Sequence, residues 1–427
     1  MQASRSKPVS RAWVFILVIW LASLACLASN RRATPAISIL PTASESQPTG
    51  QETIFDCETD SVLCPQILIE GDQPASLPSG QPSPFRGFAD PSIRQDPSSE
   101  RLWMAYSWPN VHSLGNRQFV PSIDIHLAFS DDGGQTWRFD SVLWPSQEDV
   151  DPVSGEPGYT SHEVANLLPV YARNDDTWYG IRLDYFLPND GGFKARRLSS
   201  FRLVIAQAHR LQDLGKVEAA VLGAARTDPN WNVDVNLASL APELSKCEMW
   251  NEPALHFQDG ELFLAARCLS FSVTDVPQIR NSDLVVFAAR PTEHILDWQW
   301  RYVGRLASWA EAQDLGGEGL TQIDFAQGLD GKLLAILTPD DWDPTLKDFI
   351  HYGCRVVEVA SLDPPGLSRD SNGRLKLRAV ITASDQEPLG PGACAYEPTS
   401  ATGVVMTFRN KESNGFQAWL QETGISP

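Results

Sequence analysis

From residue 84 onward, apolar runs of four to eight residues alternate with turns rich in Gly, Pro, Asp and Asn. Inside the runs apolar and polar positions alternate with period two, and no stretch sustains a period of 3.6. The expected class is all-β. The runs also recur in pairs. Asp90–Trp108 is followed by Ile123–Trp144, His162–Phe186 by Phe201–Gly223, Asn251–Phe271 by Ser282–Ala307, and Gly319–Trp342 by Gly353–Ala383. A last pair, Gly392–Arg409 and Gln417–Glu422, is one strand short.

A repeat of about 65 residues that holds four strands is the unit of a β-propeller blade. Five blades over residues 78–427 are expected, with a β-sandwich as the alternative. The long stretches 145–161 and 226–250 leave room for a sixth blade. The short final unit needs a strand from elsewhere, and Gln66–Glu70 (QILIE) is the candidate for closing the ring.

The N-terminus has a different character. Arg5, Lys7 and Arg11 precede an apolar run, Ala12 to Ala25, that ends at Cys26. A basic region followed by a short apolar one is a targeting layout. Ser23-Leu24-Ala25-Cys26 resembles a bacterial lipobox with Cys26 as the lipidated residue, and an uncleaved signal anchor is the alternative for residues 1–26. Either implies an exported protein at the bacterial cell surface, touching the membrane only through this segment. Residues 27–77, rich in Ser, Pro, Thr, Ala and Gln, read as a flexible tether.

Seven cysteines are present, and setting Cys26 aside leaves six. An even number suits disulfides in an oxidising compartment. The expected pairs are Cys57–Cys64, a small clasp late in the tether, Cys247–Cys268 and Cys354–Cys394, each assigned to one structural unit. No C-x-x-C occurs and the histidines are scattered, so no metal or cofactor is expected. The net charge is −19, and removing residues 1–26 deletes three positive charges and no acid, giving −22. Such a surface argues against nucleic acid and anionic lipid as partners. A monomer is expected.

Ser130-Asp131-Asp132-Gly133-Gly134-Gln135-Thr136-Trp137 fits the pattern S-x-D-x-G-x-T-W. Ser130 and Asp132 can bond backbone N–H groups inside the turn, Gly134 can take positive φ, and Trp137 can pack between sheets, with Thr136 completing the pattern. The motif resembles the Asp-box of the sialidase superfamily of propellers, where it marks an outer hairpin rather than a catalytic centre. Ser361-x-Asp363 and the Trp298/Trp300 region fall where degenerate copies would sit. Asn251-Glu252-Pro253 through Arg267 is similar to that superfamily's segment carrying a catalytic glutamate and a carboxylate-binding arginine. The resemblance implies that Glu252 polarises a nucleophile and that Arg267 holds an anionic substrate group. The first-strand Phe/Tyr-Arg-Ile-Pro motif is replaced by Phe88-Ala89-Asp90-Pro91, with Arg86 and Arg94 nearby; Ala393 falls at the nucleophilic tyrosine's place, with Tyr396 close by, and Arg355 is the candidate for a further arginine.

Three blades open with an acid: Asp90, Glu163 and Glu252. On the innermost strands such residues would converge on one cavity, the arrangement that glycosidic cleavage by a general acid and a base or nucleophile requires. Phe88-Ala89-Asp90-Pro91-Ser92-Ile93 resembles the first-blade motif of five-bladed arabinanase and xylosidase glycoside hydrolases. That resemblance implies Asp90 as base, Glu252 as acid and Glu163 as tuning residue. His162 could assist proton transfer or serve as a hydrogen-bonded structural histidine, and Trp108, Trp178 and Trp250 flank the expected entrance, although inter-blade packing is the favoured account of the tryptophans. Asp340-Asp341-Asp343 reads as a solvated turn. The expected function is a surface-tethered glycoside hydrolase; a non-catalytic propeller that binds a glycan or a protein is the alternative.

Overall fold

The computed structural model describes residues 53–57, 64–115, 118–151, 154–172, 175–189, 201–223, 233–271, 279–344, 348–383, 389–412 and 415–427. The targeting segment, Cys26 and most of the tether lie outside them. The described residues form five β-sheets arranged as a five-bladed propeller. Blade one runs outward through Ala89–Gln95, Leu102–Gly115, Gln118–Ser130 and Trp137–Trp144. Blade two contains Pro157–Ala172, Asp175–Pro188, Arg202–Ala208 and Ala219–Gly223. Blade three contains Met249–Gln258, Glu261–Phe271, Ile279–Ala289 and Arg301–Ala307. Blade four contains Gly319–Gln327, Leu333–Asp343, Cys354–Leu362 and Leu377–Thr382. Blade five has only Gly392–Ala395, Val405–Glu412 and Gly415–Glu422 from the C-terminal part.

The stretches that left room for a sixth blade contribute two short strands to blade two. Gln147–Val150 pairs antiparallel with the start of its inner strand, and Val235–Asn236 pairs parallel with its outermost one.

The segment at 66–70 closes the ring as expected, but it serves two blades. Gln66–Ile67 pairs antiparallel with Leu420 and Gln421 of blade five, and Ile69–Glu70 pairs parallel with Trp137 and Arg138 of blade one. Phe85–Gly87 adds a parallel pairing to residues 416–418 of blade five. Upstream, Thr53–Asp56 pairs parallel with Ala379–Thr382 on the outer edge of blade four. Part of the stretch read as tether is thus built into the propeller.

Apolar side chains of successive blades pack face to face, as the period-two patterning requires. One cluster joins blades two and three through Leu183, Ile205, Trp250, Leu264 and Phe287; another joins three and four through Ala254, Val286, Leu320 and Leu337. Each fully buried Leu or Ile contributes about 1.5–3 kcal/mol.

The Ser130–Trp137 turn has the bonding its sequence suggests. The Gly134 N–H donates to Ser130 Oγ at 2.8 Å, and the Thr136 N–H donates to Asp132 Oδ1 at 2.9 Å. Thr136 Oγ1 donates to Asp132 Oδ2 at 2.6 Å, and Trp137 is buried in the blade-one core. Gly134 has φ of 95°, and a Cβ there would stand 2.5 Å from Ser400 Oγ, so the turn needs glycine on both counts. It connects the third and outermost strands, far from the axis.

All three cysteine pairs form as expected, with Cα–Cα distances of 5.5, 5.1 and 6.1 Å. The reasoning behind the third needs correction. Cys354 belongs to blade four and Cys394 to the inner strand of blade five, so this bridge ties two blades together.

Candidate active site

Every inner strand carries the same irregularity near its start. The pairing register breaks between Ala89 and Ser92, Glu163 and Asn166, Asn251 and Ala254, Thr321 and Asp324, and Gly392 and Ala395. In each bulge one non-glycine residue has positive φ: Asp90 (51°), Val164 (51°), Glu252 (55°), Gln322 (39°) and Ala393 (52°). Left-handed backbone at such residues is costly, about 1–3 kcal/mol each, and persists only where the surroundings enforce it.

Bonds between neighbouring blades supply that enforcement. The Asp90 N–H donates to Thr407 Oγ1 at 3.1 Å, that of Val164 to Ser107 Oγ at 3.2 Å, and that of Ala393 to Thr338 Oγ1 at 3.0 Å. A second tier lies deeper along the axis. Leu167 N–H donates to Ser92 Oγ at 3.0 Å, Leu255 N–H to Asn166 Oδ1 at 3.0 Å, and Tyr396 N–H to Asp324 Oδ2 at 3.2 Å. Asp324 also pairs with Arg94, whose Nη1 lies 3.2 Å from Oδ2, and accepts from Asn166 Nδ2 at 2.9 Å. This buried network fills the axis beneath the bulges.

Above it a pocket is lined by Asp90, Glu163, Val164, Leu183, Asn251, Glu252, Arg267, Thr321, Gln322, Phe349 and His351. It encloses about 20 Å³, room for roughly one water molecule. The three acids singled out in the sequence meet here. Asp90 and Glu252 occupy equivalent bulge positions; Glu163 stands one residue before its blade's equivalent, Val164, so the three are not in a common register.

The acids differ in environment. Burial raises the Asp90 carboxyl, opposed by a hydrogen bond from Ser107 and by the Arg409 charge. Burial pushes Glu163 well above the usual range, and Asp90 and Glu252 add to the shift, against a hydrogen bond donated by Tyr185. Glu252 is pushed up to about 7, by burial first and then by Asp90. Its Oε2 accepts the Gln322 N–H at 3.1 Å, and its Oε1 accepts from Asn251 Nδ2 at 3.1 Å.

Several residues were not foreseen. Asp340, read as part of a solvated turn, is fully buried on the second strand of blade four. It bonds Arg267 end-on: Nη1 to Oδ2 at 2.7 Å and Nη2 to Oδ1 at 2.9 Å. Arg409 reaches in from blade five, and its Nη2 donates to His351 Nδ1 at 2.9 Å and to Leu389 O at 3.1 Å. Burial and the Arg409 and Arg267 charges push His351 well below its usual value, keeping it neutral. An Arg at 409 and a His at 351 carry no local motif, and only the ring's closure brings them to the acids. A signal existed for Asp340, since it lies two residues before Trp342 on an apolar strand and so shares that residue's face.

The remaining candidates lie elsewhere. Side chains alternate along a strand, so His162 points away from Glu163's pocket. Its Nδ1 is 2.6 Å from Asp184 and its Nε2 is 3.1 Å from Pro145 O. Arg355 donates to the carbonyls of Leu315 and Tyr352 at 3.0 Å, Arg86 to Gln417 at 3.4 Å, and Tyr396 is buried between blades four and five. Trp108, Trp178 and Trp250 are buried in inter-blade clusters rather than at the pocket. Among the described residues, no cluster of three or more His, Cys, Asp or Glu could hold a metal ion.

No family model matches the chain, and no curated protein matches it. Among solved structures, it is similar to Zg3597, a family 117 glycoside hydrolase of the marine bacterium Zobellia galactanivorans. Identity is 10% and the TM-score 0.43, covering 84% of this chain and 89% of that one. It is also similar to the catalytic domain of the Coprinopsis cinerea GH62 α-L-arabinofuranosidase, with 8% identity, a TM-score of 0.41 and coverage of 82% and 94%. The Bacillus subtilis arabinanase Arb43A gives 11%, 0.39, 78% and 92%.

Proposed function

We propose that this protein is a glycoside hydrolase acting on extracellular glycans. The carrying observation is that carboxyls from three blades line one pocket at the axis, each raised by burial, with Glu252 reaching about 7 and Asp90 opposed by the Ser107 hydroxyl and the Arg409 charge. Paired carboxyls held in different protonation states are what glycosidic cleavage needs. Asp90, supported by the Ser107 hydroxyl and the Arg409 charge, is the base or nucleophile. Glu252, near 7, is the acid that protonates the leaving oxygen. Glu163, whose carboxyl burial pushes well above the usual range and which is coupled to Asp90 and Glu252 through their charges, is the tuning residue. The layout of residues 1–26 and the three disulfides support export and attachment at the cell surface.

One observation favours a second reading, a propeller that binds a glycan or protein without cleaving it: the enclosed space is too small for a sugar ring, which must therefore sit at the mouth. The deciding experiment is hydrolysis of an aryl-glycoside panel by the wild type and by Glu252→Gln. Release from one sugar class, lost in the variant, supports the hydrolase. A folded wild type that releases nothing from any substrate leaves the binding reading.

A further inference from the structure

Arg267 sits in the pocket with its directional hydrogen-bonding edges already engaged. The end-on edge holds Asp340, with Nη1 and Nη2 at 2.7 and 2.9 Å from its two oxygens. The side-on edge runs through Nε, which donates to Ser282 Oγ at 2.8 Å. The Phe349 ring lies over the guanidinium, 4.7 Å from its carbon. A second carboxylate therefore finds neither fork geometry open. The backbone has been shaped around the pair: a Cβ on Gly319 would lie 2.4 Å from Asp340 Oδ1 and 2.5 Å from Arg267 Nη2, so only glycine fits against it. Both side chains are essentially inaccessible, at 1% and 0% exposure. The other cation of the site, Arg409, is turned to His351, Phe349 O and Leu389 O. The rest of the polar lining is the three acids Asp90, Glu163 and Glu252 with the neutral Asn251, Thr321 and Gln322, and His351.

We propose that the mouth of the pocket takes a sugar without negative charge, and that Asp340 sets this specificity by engaging the edge of Arg267 that a substrate's carboxylate would otherwise use. The inference rests on the pocket being a sugar site, and it departs from the anion-holding role that the sequence resemblance implied for Arg267. An anionic sugar would have to displace a buried, doubly bonded partner while facing the Asp90 carboxylate. That combination of lost bonds and like-charge contact selects against it.

Saturation-transfer NMR on the wild type tests this with two neutral probes, methyl β-xyloside and methyl α-arabinofuranoside, and two anionic ones, methyl β-glucuronide and methyl N-acetylneuraminide. The expected result is signal from a neutral probe and affinity at least about tenfold weaker for both anionic probes. Asp340→Asn, which keeps the shape and removes the charge, is expected to narrow that gap about tenfold. Should the variant not fold, the wild-type panel decides alone. Signal from an anionic probe equal to that from the neutral ones overturns the inference, and leaves the hydrolase reading standing if Glu252→Gln still abolishes turnover. Silence from all four probes overturns the inference together with the sugar-site reading beneath it.

Discussion

The backbone N–H of Gln322 donates to the Glu252 carboxylate at 3.1 Å, across the junction of blades three and four. At three other junctions the equivalent N–H is received by a hydroxyl: Ser107, Thr338 or Thr407. Blade three has Arg267 at the hydroxyl's position, opposite Asn251, and the bulge residue itself takes over as acceptor. The acid assigned to proton donation is thus also a fastening between blades.

Glu252→Gln separates these two roles. An amide oxygen can still accept the Gln322 N–H, so the fold should persist with Tm within a few degrees of wild type. Turnover should fall by about 10²–10⁴, the span of a lost general acid. Circular dichroism and initial rates on one preparation check both. Glu252→Ala should lose stability as well.

The pH dependence of stability has a definite sign. Glu252 has a folded value near 7 against an ordinary 4.5, so the folded chain holds its proton more tightly. Its contribution is fully present below 4.5 and is lost as pH rises towards 7. For this group alone the loss is on the order of 3 kcal/mol. Urea unfolding between pH 5 and 8 should show stability declining, and less steeply in Glu252→Gln. Equal slopes would mean that Glu252 titrates normally.

Asp324→Asn addresses the axis beneath the pocket. It removes the charge paired with Arg94 and weakens the contacts to Asn166 and Tyr396. Leaving a buried arginine uncompensated costs about 3–5 kcal/mol. Chemical denaturation should show a loss of that size. A change under about 1 kcal/mol would mean that water reaches Arg94.

The disulfides should rank by the chain they enclose. Cys354–Cys394 spans 40 residues and Cys57–Cys64 spans 7. By loop entropy their removal costs about 4 and about 2.4 kcal/mol. Melting of the two Ser double variants tests the order.

The architecture was largely legible in the sequence because a blade is a local object. The paired runs from Asp90 to Glu422, the Ser130–Trp137 turn and the closing role of residues 66–70 all follow from nearby side chains. The site was legible only in part. Asp90 and Glu252 each precede a proline at a strand start, which marked both. Glu163 looked equivalent, yet the bulge falls one residue later, and hydrophobic alternation does not report a bulge. Asp340 looked solvated beside Asp341 and Asp343, although its partner Arg267 lies 73 residues earlier. Arg409 needs blade five seated against blade one before it meets Asp90. Long-range charge pairing leaves no trace in a local pattern.

The short strands before residue 78 have a practical consequence. They cover exposed rims of blades one, four and five through residues 69–70, 53–56 and 66–67. A recombinant chain begun at residue 78 would present three uncovered rows of backbone N–H and C=O groups, each a template for another molecule. Self-association of such a chain would then report on missing selvedge rather than on any natural oligomer, and soluble preparations are better begun upstream of Thr53.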